Sequence, residues 1–100
     1  MPPEKLEGYA LNPEHSEGRH KAIVFQSALG INQANANELR ITLLQAIKTQ
    51  VAIPTKRNEY GQKYQIDFEM IRGNKAAIIR SVWIVRYDEN FPRLITCYIP

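Results

Sequence analysis

The stretch "YQIDFEMIRGNKAAIIRSVWIVRY", residues 64–87, decides the fold. In its first half every second residue is apolar, which is typical of a strand with one buried face; these residues are Tyr64, Ile66, Phe68 and Met70. The Gly73-Asn74 pair in "RGNK" favours a tight turn. The second half, "AAIIRSVWIVRY", is apolar on both faces, which predicts the central strand of a sheet. We therefore predict an antiparallel hairpin here.

Two further strands extend this sheet. The segment "VAIPTK" upstream has the composition of a short strand, and Pro54 places it at an edge because proline donates no ladder hydrogen bond. The segment "RLITCYI" near the C-terminus predicts the last strand. The chain therefore contains about four antiparallel strands.

Two helices are predicted before the strands. The first begins near Arg19 and ends at Gly30, with an apolar stripe made of Val24, Phe25, Ala28 and Leu29. The second is capped by Asn32 or Asn35, and its apolar positions are Ala36, Leu39, Leu43, Ala46 and Ile47. The predicted fold is α+β, with two N-terminal helices packed on one face of a roughly four-stranded antiparallel sheet. Residues 1–11 are predicted as an extended N-terminal arm and residues 12–100 as a single domain.

The composition limits the function classes. The 100 residues are 44% hydrophobic and 23% charged, which is an ordinary globular balance, and the net charge of +3 suits a nucleic acid or an acidic protein partner. No apolar run is long enough for a membrane, the N-terminus lacks the apolar core of a signal peptide, and the single Cys97 fits a reducing compartment. We expect a cytoplasmic protein. Because no Cys/His or acidic cluster has metal-motif spacing, we expect no metal and no cofactor.

The polar interruptions of the last two strands point to a surface. Either Arg80 or Ser81 breaks an otherwise apolar face of the central strand, and an arginine is rarely buried without a partner. We therefore expect Arg80 on the open face, either by itself or in an ion pair there with Asp67 or Glu69. In the last strand, alternation assigns Ile95, Cys97 and Ile99 to the core and Leu94, Thr96 and Tyr98 to the open face. A bulge of one residue would exchange these faces.

The two histidines, His15 and His20, lie close together in the sequence, and Lys21 follows His20 directly. Metal-independent RNA cleavage needs a general base for the ribose 2′-hydroxyl, a general acid for the leaving oxygen, and cations for the phosphoryl oxygens. Histidine suits the acid–base role because it titrates near neutral pH. The candidate catalytic residues are His20, Arg80, Thr96 and Tyr98. The candidate substrate-binding residues are Lys21, His15, Arg57 and Ser81.

Simpler interpretations stay open for each of these residues. A histidine or lysine in a first helical turn is commonly part of a solvated face, and Arg80 fits a structural ion pair as well as a phosphate ligand. Tyr60, Trp83 and Tyr98 are aromatic residues that suit base stacking, although a tryptophan in an apolar strand is commonly core and Tyr60 also fits packing over the hairpin.

Three segments together carry a family resemblance: "LNPEHSEGRHKAIVFQSALGI", "YGQKYQIDFEM" and "IRSVWIVRYDENFPRLITCYIP". They resemble a family of small uncharacterised bacterial domains that occur alone and at the C-termini of polymorphic toxins. The element order is similar to the ribonuclease superfamily that joins barnase, EndoU and the RelE-type toxins. This resemblance makes His20, Lys21, Arg80, Ser81, Thr96 and Tyr98 the expected site residues.

The resemblance implies a metal-independent endoribonuclease-like toxin of a bacterial toxin–antitoxin or toxin–immunity system. Its expected partners are RNA and a cognate antitoxin or immunity protein. One alternative is a non-enzymatic protein- or RNA-binding module with an open basic sheet face. A structural or antitoxin-side protein is a third possibility, because helix caps and strand alternation indicate the fold and do not distinguish between these functions.

Overall fold

A computed structural model describes residues 19–100, and the predicted arm at residues 1–11 lies outside them. The described chain has an α+β fold with two helices and a four-stranded antiparallel sheet, as predicted. The elements are α1 (Arg19–Leu29), α2 (Ala36–Thr49), β1 (Ile53–Arg57), β2 (Gly61–Arg72), β3 (Lys75–Arg86) and β4 (Pro92–Tyr98). The strands lie in sequence order, so β1 and β4 are the two edges of the sheet. Neither helix is long and apolar enough to span a bilayer.

The β2–β3 hairpin forms the centre of the sheet. Its register pairs Ile66 with Ser81 and Phe68 with Ile79, and these side chains lie on the face that the helices cover. Gly73 turns the chain with a φ of 63°, a backbone conformation that glycine adopts without steric cost. The alternation predicted for β2 is confirmed, because Ile66, Phe68 and Met70 are buried.

Both helices bury one stripe against this hairpin. Phe25 and Leu29 of α1 are fully buried, as are Leu39 and Leu43 of α2. Their spacing of four residues brings each pair onto one side of its helix. A 3₁₀ turn, Gln33–Asn35, precedes α2, and the side chain of Asn32 caps it by accepting a hydrogen bond from Ala34 N at 2.9 Å. The cap is therefore Asn32, which belongs to the turn rather than to α2 itself.

A β-bulge interrupts β4. Val82 of β3 faces Thr96, but the next residue, Trp83, faces Leu94, so Ile95 is an extra residue without a partner of its own. Leu94 and Cys97 are consequently both buried. The prediction that Leu94 lies on the open face is wrong, because the bulge shifts the alternation by one residue on its N-terminal side. Beyond the bulge, Thr96 and Tyr98 keep the predicted side of the strand.

Arg72 connects the hairpin to both helices. Its Nη1 donates to the carbonyl oxygens of Leu29 at 3.2 Å and Gly30 at 3.1 Å, at the end of α1. Its Nε donates to the carboxylate of Glu38 in α2 at 2.9 Å. The last carbonyl groups of a helix have no partner within the helix and carry its negative dipole end. Arg72 therefore fixes the C-terminus of α1 against the sheet.

This contact generates a prediction about two glycines. Gly30 and Gly73 both have a positive φ, so alanine at either position costs about 1 kcal/mol of stability. A Cβ at Gly73 meets nothing within 4 Å, whereas a Cβ at Gly30 lies 3.3 Å from Nη1 of Arg72. We expect Gly30→Ala to lower the free energy of unfolding by roughly 1 kcal/mol more than Gly73→Ala, because it crowds a charge-assisted hydrogen bond. Urea denaturation of both variants measures this difference. Equal decreases in the free energy of unfolding would show that the contact between position 30 and Arg72 does not affect stability.

Candidate functional site

Four side chains meet at the β4 edge of the sheet: Lys21, Arg80, Thr96 and Tyr98, here called the edge cluster. The Lys21 ammonium donates to the Thr96 hydroxyl at 2.9 Å and lies 5.4 Å from the centre of the Tyr98 ring. Helix α1 packs on the covered face, whereas Thr96 and Tyr98 belong to the opposite face. Lys21 therefore passes around the free edge of β4 to reach them. A cation at this distance from a ring is attracted by its negative face.

Arg80 closes the cluster on the β3 side. It lies directly across from Tyr98 in the β3–β4 register. Its Nε and Nη2 donate to the two carboxylate oxygens of Asp67 on β2, each at 3.1 Å. This pairing confirms the predicted ion pair and the predicted open-face position of Arg80. The pKa of Arg80 is raised above its ordinary value, mainly by the hydrogen bonds with the Asp67 carboxylate and next by the neighbouring Tyr98 phenol. The guanidinium is therefore a permanent positive charge between a carboxylate and a phenol.

Ser81, the second polar interruption of β3, is not part of this surface. It is fully buried, and its hydroxyl donates to the carbonyl oxygen of Ile66 at 2.8 Å. The same hydroxyl accepts a hydrogen bond from the indole N–H of Trp83 at 2.9 Å. The expectation that Ser81 binds substrate does not fit this position, because both its hydrogen-bonding functions are used inside the core. Trp83 is buried as well, so its ring is not exposed for base stacking.

Cys97 lies between Thr96 and Tyr98 in the sequence, but its thiol is in an environment that suppresses its reactivity. Its side chain is fully buried, and burial raises the pKa of the thiol to about 12, although the charge of Lys21 acts in the opposite direction. A thiol is nucleophilic only as the thiolate. Cys97 is therefore a packing residue and not a nucleophile at neutral pH.

Three other predicted site residues, His20, Arg57 and His15, are not among the four side chains of the edge cluster. His20 is exposed in the first turn of α1 and points about 100° around the helix from Lys21. Lys21, rather than His20, makes the contacts with Thr96 and Tyr98. Arg57 lies on β1 at the opposite edge, about 14 Å from β4 across the sheet, where its Nε donates to Gln62 at 3.2 Å. His15 lies outside the described residues.

Sequence reasoning missed two features of this site. The direct Lys21–Thr96 contact joins residues 75 positions apart, and no local pattern signals such a contact. Asp67 was identified as a partner of Arg80 but not as a member of the site, although it controls the orientation of the guanidinium. The polar side of "YQIDFEM" is the signal that pointed to it.

The arrangement has the chemistry of an anion site. Two cations, one from α1 and one from β3, flank the Tyr98 ring, and hydroxyl groups of Thr96 and Tyr98 lie beside them. Lysine and arginine are the residues that bind phosphate in proteins, arginine through its planar fork. Among residues 19–100, no group of three His, Cys, Asp or Glu side chains is placed to hold a metal ion.

The family model described as "Domain of unknown function (DUF6883)" matches residues 1–100. The chain belongs to the DUF6883 family. The match extends over the full sequence, so every residue of the edge cluster lies within the DUF6883 domain. No curated protein and no solved structure matches the chain significantly.

The environment of Cys97 generates a second prediction. A pKa near 12 instead of 9.0 lowers the thiolate fraction at about pH 8 by roughly a thousandfold. We expect the native protein to react with a disulfide reagent at least about a hundredfold more slowly than the urea-unfolded chain, with a rate that rises with pH through the alkaline range. Following thiol release by absorbance tests this. Rapid labelling of the native protein near neutral pH would show that Cys97 is accessible and activated.

Proposed function

We propose that the protein is a metal-independent endoribonuclease-like toxin that cleaves RNA by acid–base catalysis. The observation that carries this proposal is the meeting of Lys21 and Arg80 with the hydroxyl side chains of Thr96 and Tyr98 at one accessible edge. RNA supplies its own nucleophile, the 2′-hydroxyl, so the protein has to position a phosphate, move protons and stabilise charge.

In this proposal the two cations hold the scissile phosphate. The guanidinium of Arg80 is kept in one orientation by the two hydrogen bonds to Asp67, and the Thr96 hydroxyl similarly orients the ammonium of Lys21. Fixed cations stabilise the charge that develops on the phosphoryl oxygens without reorganising during the reaction. Asp67, which is itself negative, contributes by aiming Arg80 rather than by contacting the phosphate.

The proton transfers are assigned to His20 and Tyr98. His20 is exposed and directly precedes Lys21 in the first turn of α1. Because it lies about 100° from Lys21 around the helix, the proposal requires that the bound RNA extends from Lys21 toward the imidazole. One group removes the proton of the 2′-hydroxyl while the oxygen attacks phosphorus. The other gives a proton to the leaving 5′-oxygen, which leaves a 2′,3′-cyclic phosphate and a free 5′-hydroxyl. The Tyr98 hydroxyl, next to Arg80, is the second proton-transfer group.

The experiment is a cleavage assay on single-stranded RNA in the presence of a metal chelator. We expect Lys21→Ala, Arg80→Ala and His20→Ala each to lower the rate at least about a hundredfold, because each removes a charge or a proton-transfer group. The matched control is Lys56→Ala, which deletes an exposed cation from β1 at the opposite edge and is expected to stay within about twofold of the wild-type rate. If Lys56→Ala lowered the cleavage rate as much as Lys21→Ala, the loss would result from the change in net charge alone. If the Lys21 and Arg80 variants cleaved RNA at the wild-type rate, the edge cluster would not be the active site.

A nuclease that acts on cellular RNA needs a partner that restrains it. We assign this role to a cognate antitoxin or immunity protein in the cytoplasm, with acidic side chains that cover the edge cluster. The net charge of +3 and a pI of about 9.2 favour association with an acidic protein. Such a complex would protect RNA, and protection would weaken with rising salt as the charges are screened.

A non-enzymatic protein- or RNA-binding module is the second candidate. The observation that favours it is the bidentate Arg80–Asp67 pair, which uses two guanidinium nitrogens and offsets one of the two positive charges of the cluster. A binding surface tolerates this arrangement better than a catalytic one. Gel retardation with the same RNA separates the two functions. RNA that is retarded by the protein and recovered intact indicates a binding module.

A further inference from the structure

A cavity of about 530 Å³ opens between α2 and the beginning of β4, the strand whose end belongs to the edge cluster. Its volume lies in the range of small-ligand sites. Most of the wall is apolar and comes from three elements; it includes Leu44, Ile47, Ile84 and Ile95. Phe91 also lines the cavity and is 46% exposed, so one aromatic ring is accessible at this place.

The cavity and the edge cluster both use residues of the edge strand β4. Ile95, the extra residue of the bulge, lines the cavity. Thr96, the next residue, accepts the hydrogen bond of Lys21. Consecutive Cα atoms are about 3.8 Å apart, so the wall of the cavity and the edge cluster share neighbouring positions of one strand.

The cavity also has cations at its wall. The guanidinium of Arg93 lies 5.2 Å from the centre of the Phe91 ring, and Arg86 lines the cavity as well. Arg93 forms an ion pair with Glu89, at 2.8 and 2.6 Å, and holds the pKa of that carboxyl below its ordinary value. The Arg93 side chain is itself half exposed, so its guanidinium is accessible from solvent. Phe91 is thus a second aromatic ring with a cation near it, as Tyr98 is with Lys21.

We propose that this cavity is a nucleobase subsite for single-stranded RNA. The inference rests on the proposed function, because it places the base beside the phosphate that the edge cluster holds. Phe91 provides the stacking face, the aliphatic wall covers the other side of the base, and Arg86 and Arg93 attract the adjoining phosphate. A base enters such a cavity only when it is unstacked and unpaired, so single strands are bound in preference to duplexes.

An apolar side chain of a partner protein is the rival occupant. RNA is favoured because Tyr98 of the edge cluster and Phe91 of the cavity each have a cation near the ring, 5.4 Å and 5.2 Å from its centre. Protein anchors need no such cations, whereas nucleotides combine a flat apolar base with a negative phosphate. The two occupants give different results in the same set of variants.

The test uses fluorescent 2′-O-methyl RNA tetranucleotides, which bind without being cleaved because the attacking hydroxyl is blocked. We expect an abasic substitution at one position of the tetranucleotide to weaken binding about tenfold. In Phe91→Ala the complete tetranucleotide should bind about tenfold more weakly, and the same abasic substitution should cause no further loss. Ile53→Ala, which removes an exposed apolar side chain from β1 at the opposite edge of the sheet, is the control and should bind like the wild type. Thermal unfolding of Phe91→Ala checks that the variant is folded.

Three outcomes would overturn the proposal: no abasic position weakens binding, the abasic loss persists in Phe91→Ala, or Phe91→Ala binds RNA normally but no longer binds a neutralising partner. The last outcome would assign the cavity to a protein. Because the analogues are not cleaved, this result is independent of the nuclease assay. If the protein cleaves natural RNA but no abasic position weakens binding, only the nucleobase subsite is refuted. If an abasic position weakens binding but natural RNA is not cleaved, only the nuclease activity is refuted.

Discussion

The position of α1 depends on Arg72. This one side chain donates to two carbonyl groups at the end of α1 and to the Glu38 carboxylate of α2, and its backbone lies at the end of β2. Lys75, on the other arm of the same turn, adds a hydrogen bond from its ammonium to the carbonyl oxygen of Ser27 at 3.3 Å. Helix α1 is therefore anchored at its C-terminus by cations of the hairpin, where they also meet the negative end of the helix dipole.

An anchored helix positions its other end. A helix of 11 residues is a rigid rod about 16 Å long, so a fixed C-terminus and a buried stripe at Phe25 and Leu29 determine where the first turn lies. That turn presents Lys21 at the edge of β4, where it contacts Thr96 and Tyr98. The candidate site is thus a consequence of packing that begins at the opposite end of the helix.

Period-two alternation predicted most of the sheet from the sequence. It identified β2 and β3, placed Arg80 on the open face and gave Asp67 as one of its possible partners, because residues within one regular strand keep their sides. It failed at Leu94, because the bulge at Ile95 depends on how β4 pairs with β3 and leaves no mark in the order of apolar residues. The bulged residue Ile95 lines the cavity and the next residue, Thr96, belongs to the edge cluster, so the arrangement of side chains along β4 was the least predictable part of the sheet.

The two polar residues of β3 illustrate a second limit. Arg80 and Ser81 are adjacent, and each interrupts an apolar face of β3. Arg80 lies on the open face and pairs with the Asp67 carboxylate, whereas Ser81 is buried and its hydroxyl is hydrogen-bonded inside the core. Only the Ile66 carbonyl and the Trp83 indole, brought near by the sheet, reveal that Ser81 is structural. Likewise, the sequence placed His20 and Lys21 together, but the rotation of α1 gave the contacts with β4 to Lys21.

The most direct measurement is a crystal structure of the protein bound to a 2′-O-methyl RNA dinucleotide. We expect the phosphate at the β4 edge, within hydrogen-bonding distance of the Lys21 ammonium and the Arg80 guanidinium. A phosphate seated at the β1 edge near Arg57, or one bound elsewhere with Lys21 and Arg80 untouched, would contradict it.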